Sequence, residues 1–238
     1  VRGAAYPGHV FILTSQINFR EVVMPVVRAE NLGARSGRGW AFRHVDLAVC
    51  AGDLLVLTGR QGSGRTSLLL ALAGRFATQE GRLVRDGAAA LGHVPGVHEP
   101  EPALTVAELV EERALLLGTG RSTASRLVPV TRRRQLRADR AARVRAALDR
   151  YADELPPAAQ GRDLTPYQRQ LLGLVLADLT DPRLVVADDV DTDLDADERA
   201  RLWAELDAVA RTGRAVVVAA REPAPIPTAT HHQMDRTS

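Results

Sequence analysis

The segment that most constrains this chain begins with an apolar run, Leu54-Leu55-Val56-Leu57-Thr58. It leads directly into Gly59-Arg60-Gln61-Gly62-Ser63-Gly64-Arg65-Thr66-Ser67 and then into the apolar stretch Leu68–Ala73. A short, continuously apolar run reads as a strand covered on both faces, which is characteristic of α/β sheets. The glycine-rich stretch matches the template G-x-x-x-x-G-K-[ST] at Gly59, Gly64 and Thr66, with Arg65 in the lysine position. Glycines let a backbone wrap a phosphate and aim several N–H groups at it. The helix that follows adds its positive N-terminal end. Residues Gly59 to Ser67 are therefore candidate phosphate contacts, and the Thr66 hydroxyl is a candidate ligand for Mg²⁺. The bland alternative is a plain strand–turn–helix corner.

Composition excludes several classes. The 238 residues suit one large domain, or a core with an inserted subdomain. A formal net charge of +2 is too near zero to imply a polyanionic partner. Cys50 is the only cysteine, so no internal disulfide can form. No apolar run approaches the roughly 18 residues needed to span a bilayer. The longest candidates, Leu68–Ala73 and Leu171–Ala177, fit buried helices. All 31 fixed positive side chains are arginines, because the chain contains no lysine.

Along the chain, residues 1–23 read as an N-terminal extension before a natural start at Met24, with an edge strand at Val10–Leu13 as the alternative. Val26–Glu30 and Ala41–Val49 alternate as half-buried strands do. Gly81–Asp86 is a short strand ending in the turn signal Asp86-Gly87. Thr105-Val106-Ala107-Glu108 has capping-box spacing and predicts a helix start. Residues 121–150 carry ten arginines against Asp139 and Asp149, and Val144, Leu148 and Tyr151 have helical spacing. This suggests an inserted helical subdomain over about 97–160, ended by Pro156-Pro157. From Leu164 the pattern returns to α/β: a helix over Gln168–Leu179, a strand at Leu184–Asp188, a helix over Asp197–Ala210 and a strand at Val216–Ala220. Residues 229–238 read as a disordered tail.

Five further segments now fall in order. They are Gly81–Gly87, Gly92-His93-Val94-Pro95, Leu164-Thr165-Pro166-Tyr167-Gln168-Arg169-Gln170, Leu184–Asp195 and Ala215–Pro223. Together with the loop they resemble the ATP-binding cassette (ABC) family, specifically the nucleotide-binding subunit of a transporter, over residues 26–223. The resemblance implies a P-loop NTPase core of ABC type with an antiparallel β subdomain and an inserted helical subdomain, spanning 24–228. It implies ATP and Mg²⁺ as cofactors, pairing with a second nucleotide-binding subunit as a homo- or heterodimer, and a transmembrane permease partner. It also implies a cytoplasmic location at the inner face of the membrane. No nucleic-acid partner is expected.

The resemblance also assigns roles, and the sequence departs from several of them. Asp188 fits the acid that holds Mg²⁺. Asp189 stands where a glutamate polarises the attacking water, one methylene shorter. Arg221 stands at the switch histidine and cannot exchange a proton near neutral pH. Arg65 is a planar fork where a compact ammonium is usual. Gly96 replaces the glutamine of the Q-loop. In the segment at the signature position, Thr165 and Gln168 fit, but Pro166 has no N–H to donate and Tyr167 adds bulk where glycine is usual. The adenine-stacking aromatic is expected near Ser36; Trp40 or Phe42 could substitute, or either could be core. Slow or absent hydrolysis follows as the expectation. Two alternatives stand beside it: a non-hydrolysing regulatory or scaffold subunit, and a soluble ABC-type ATPase acting on nucleic acid through Arg121–Arg145.

Overall fold

The computed structural model describes residues 24–37, 39–118, 138, 142, 144–146 and 148–235. The extension, the alternative strand at Val10–Leu13 and nearly all of the arginine-rich stretch lie outside them. The described residues form two sheets. In the first, β1 (Val27–Ser36) lies between β2 (Gly39–Val49) and β4 (Glu80–Arg85), all antiparallel. The second is parallel, in the order β5 (Ala89–Leu91), β6 (Leu184–Ala187), β7 (Ala215–Ala219), β3 (Leu54–Gly59), β8 (Thr230–Met234). The helices are α1 (Arg65–Leu72), α2 (Val106–Gly118), α3 (Pro166–Asp178) and α4 (Ala196–Arg211).

The apolar strands are buried on both faces, and side-chain alternation divides them between two cores. Leu55, Leu57, Val186, Val217 and Ala219 join α1 and the antiparallel sheet in one cluster. Leu54, Val56, Val185, Ala187, Val216 and Val218 join α2, α3 and α4 in the other. Val144 and Tyr151 are buried in that second core, with Leu148 packed against it. Because the sheet is parallel, the carboxyl ends of β3, β6 and β7 share one edge. Gly59, Asp188 and Ala220 therefore meet there, at the edge where open α/β sheets hold ligands.

Helix starts follow local chemistry. Thr105 and Glu108 exchange the two bonds of a capping box at α2. α3 begins two residues before the expected Gln168, at Pro166, because proline is pre-shaped for the first helical position. The expected disordered tail needs correction. Thr230–Met234 is a strand that pairs parallel with β3 from Leu55↔Thr230 to Gly59↔Met234, and Met234 is buried. The polar run Thr-His-His-Gln carries no strand period, so its order comes from β3's exposed hydrogen-bonding edge rather than from local propensity. Among the described residues, no helix is long and apolar enough to cross a membrane.

Candidate functional site

The loop after β3 needs glycine for two separate reasons. Gly62 has φ +80° and Gly64 has φ +89°, a region that other residues rarely adopt. At Gly64 a Cβ would also run into the Ala41 carbonyl oxygen, with the carbonyl carbon 2.9 Å away, so β2 packs directly on the loop. Ser63 is 1% exposed and its buried Oγ has no hydrogen-bond partner. The first turn of α1 has no side-chain cap and no acidic residue. Its N–H groups and positive dipole end are left for an anion. Arg60 and Gln61 are exposed on the loop, while Ser67 is half-buried within α1.

The structure brings Thr66 to Asp188: the threonine hydroxyl donates to the Asp188 carboxylate. Asp188 is 3% exposed and held from several sides. Its N–H donates to the His93 carbonyl (2.9 Å), its carbonyl accepts from Gln170 Nε2 (3.0 Å), and its Oδ1 accepts the Asp189 N–H (2.9 Å). Burial pushes its carboxyl above the ordinary carboxylate value, and the neighbouring charge of Asp189 adds to the rise. The Thr66 bond, the Asp189 N–H and Arg65 act the other way.

Arg65 does not lie along the glycine loop. Its guanidinium donates to the Ala220 carbonyl (2.5 Å) and sits 3.9 Å from the Asp189 carboxylate. Asp189 itself has φ +46°, at the sharp turn after β6. Arg221 is exposed, with its backbone N–H bound to Asp191. Gly96 occupies a left-handed turn (φ +72°), and its N–H donates to Glu99 Oε1 at 2.9 Å. That position answers a backbone demand and places no side chain toward the acids.

The segment Leu164–Gln170 differs from expectation in one respect. Tyr167 adds no bulk to the surface: it is 4% exposed, its hydroxyl donates to Glu154, and the Arg201 guanidinium lies 4.9 Å from its ring centre. Thr165 and Gln168 cap their own helix. Thr165 Oγ1 accepts the Gln168 N–H (3.2 Å), and Gln168 Oε1 accepts the Thr165 N–H (3.0 Å). Arg169 N–H goes to the Thr165 carbonyl, and Pro166 has no N–H. Unlike α1, this helix start lacks one first-turn N–H and has another bonded to its own cap.

Phe42 is 1% exposed in the core over α1. Trp40 is only half-buried, with Arg43 and Arg35 guanidinium carbons 4.3 and 5.0 Å from its ring centre. Asp191 was not singled out from the sequence, yet its buried carboxylate accepts three backbone hydrogen bonds from Arg221 and Glu222. The acid-rich run Asp188–Asp195 gave no signal to separate it from its neighbours.

Together, an unpartnered buried hydroxyl, an uncapped helix start and a threonine–carboxylate pair fit a phosphate chain with Mg²⁺. No group of three or more His, Cys, Asp or Glu side chains capable of holding a metal occurs among the described residues.

The family model described as ABC transporter matches residues 42–192. The cytochrome c biogenesis ATP-binding export protein CcmA of Cupriavidus necator is 33% identical over 210 residues, covering 82% of this chain and 83% of that protein. The zinc import ATP-binding protein ZnuC of Cereibacter sphaeroides is 29% identical over 200 residues, covering 84% and 74%. A longer ABC transporter ATP-binding protein of Streptomyces avermitilis is 31% identical, and the match spans 34% of its length. Among solved structures, CbiO1 of Clostridium perfringens, part of the CbiONQ ABC transporter complex, superposes with a TM-score of 0.69 at 15% identity, covering 89% of this chain and 85% of that one.

Proposed function

This chain belongs to the ABC transporter family, as an ATP-binding subunit, and from that premise we propose that it binds ATP on Gly59–Ser67, holds Mg²⁺ between Thr66 and Asp188, and cleaves the nucleotide slowly. The observation that carries the reading is the Thr66–Asp188 contact, which joins the start of α1 to the end of β6 across the sheet edge beside the uncapped loop. Bound Mg²⁺ would neutralise charge on the phosphates. The chain's own residues would cradle the phosphates by backbone N–H groups and orient the nucleotide against Asp189.

Three features support slow cleavage. Asp189 keeps a charge but has less reach than glutamate toward an attacking water. Arg221 offers no proton exchange near neutral pH. The start of α3, which in this family would complete the site of a paired subunit, has no N–H at Pro166 and gives the Gln168 N–H to the Thr165 side chain. Productive pairing is therefore with a second ATP-binding chain whose corresponding helix start is free. A separate transmembrane subunit would convert closure of that pair into transport at the inner face of the membrane.

The test is ATP affinity and turnover of the purified chain. ATP binding with turnover well below about 1 s⁻¹, the low end for typical enzymes, and loss of that turnover in Asp189→Asn are the expected results. Turnover at ordinary rates by this chain alone would overturn the slow-site reading. Absence of ATP binding would overturn the site itself. A variant with Arg65→Lys and Asp189→Glu should turn over faster if the defect lies in this loop and acid.

A further inference from the structure

The buried carboxylate of Asp191 lies outside the set of groups assigned above. It is 8% exposed, and it accepts the Arg221 N–H at both oxygens (3.0 and 2.8 Å) and the Glu222 N–H at Oδ2 (3.0 Å). The stretch it grips follows β7 and is also fixed from other sides. Ala219 O accepts from Val190 N (3.1 Å), and Ala220 N donates to Leu57 O (3.0 Å). Ala220 O then accepts from the Arg65 guanidinium, which faces Asp189. The contacts close a ring: Asp191 to peptides 221 and 222, Ala220 to Arg65, Arg65 to Asp189, and two residues along the chain back to Asp191.

In this ring Asp191 and Arg65 are the side chains that tie the segment after β7 to the site. A guanidinium has five N–H donors, and Ala220 takes one, so Arg65 keeps donors for a phosphate. It does so at the edge where the acids lie, beyond the backbone of Gly59–Ser63. Resting on the nucleotide-binding reading above, we propose that Asp191 is a positioning residue. By fixing peptides 220–222 it aims the Ala220 carbonyl that anchors Arg65, and anchored Arg65 distinguishes a nucleoside triphosphate from a diphosphate. Arg65 touches the phosphate; Asp191 acts only through it.

The bland account of the same geometry is that Asp191 merely caps the end of β7. The two accounts differ in a double-mutant cycle. ATP and ADP affinities are measured by titration calorimetry with Mg²⁺ for the wild-type chain, Asp191→Ala, Asp191→Asn, Arg65→Ala and the Arg65→Ala/Asp191→Ala pair. Asp191→Ala should weaken ATP by about 5- to 10-fold while ADP stays within about twofold, and in the Arg65→Ala background the same change should alter ATP by less than about twofold. Asp191→Asn, which retains one acceptor oxygen, should fall between, and it decides the matter if Asp191→Ala does not fold. Amide exchange at Arg221 and Glu222 should quicken in Asp191→Ala. An unchanged ATP-to-ADP ratio despite that quickening, or an equal effect without Arg65, overturns the proposal. A wild-type chain that binds neither nucleotide overturns the site reading, and this inference falls with it.

Discussion

Replacing Gly64 by alanine tests whether the loop's shape comes from backbone conformation alone or also from contact with the antiparallel sheet. Gly64 and Gly62 both have positive φ, at +89° and +80°. An L residue there costs about 1–2 kcal/mol. Around Gly62 an added Cβ meets nothing within 4 Å, so Gly62→Ala should cost only that conformational term. At Gly64 the Cβ meets the Ala41 carbonyl, and the side chain of the fully buried Phe42 lies 3.2 Å away. A main-chain carbonyl in a paired strand cannot swing aside as a flexible side chain does, so an overpacking cost of about 1–3 kcal/mol is added. Subtracting one variant from the other cancels the shared conformational term. In a chain of this size each kcal/mol moves Tm by about 2–4 °C, so Gly64→Ala should melt about 2–12 °C below Gly62→Ala. Thermal unfolding followed by circular dichroism measures both. Equal melting temperatures would refute the claim that β2 constrains the loop, and with it the account of why this glycine is needed.

Other expectations concern neighbouring parts of the site. Tyr167→Phe removes a bond to the Glu154 carboxylate and should destabilise by about 1.5–3 kcal/mol in urea unfolding, near the lower figure because Arg201 still faces Glu154 at 3.4 Å. Burial raises the Asp188 carboxyl above its ordinary value, so the folded chain holds that proton more tightly than the unfolded one. The resulting stabilisation is present at low pH and is lost as pH rises through the ordinary carboxylate value to the raised one. Mg²⁺ needs the ionised form, so Mg²⁺-dependent ATP affinity should strengthen with pH above the usual carboxylate range. Thr66→Val removes a proposed Mg²⁺ ligand as well as the bond that lowers the Asp188 carboxyl, so it should weaken Mg²⁺-dependent ATP affinity throughout a pH series of calorimetric titrations. Ending the chain after Ala229 removes β8 and the burial of Met234, which alone is worth about 2 kcal/mol; Tm should drop by about 4–8 °C, whereas removal of a disordered tail would leave it unchanged.

Much of the parallel sheet could be read from residue order alone. Leu54–Thr58, Leu184–Asp188 and Val216–Ala220 are runs too apolar for anything but burial on both faces, and the loop glycines place β3 before a helix. Thr105 and Glu108 announced α2 through a contact only three residues long. The misread elements depend on distant partners. β8 is polar and took its order from the edge of β3, well over a hundred residues earlier. Tyr167 looked like a surface obstruction because it stands where the family has glycine. Its burial depends on Glu154 and Arg201, which come from other parts of the chain.

The sequence by itself determined the loop, the order of the acids and the family, because those rest on residue type and short spacing. Tertiary structure decided what each group is bonded to. Thr66 meets Asp188 across 122 positions, Arg65 reaches Ala220 across 155, and Asp191 grips peptides 30 and 31 residues further on. Parallel pairing causes this, since it brings the carboxyl ends of strands far apart in sequence to one edge. Local pattern names the groups at that edge, and only the crossing order of β6, β7 and β3 sets which of them touch.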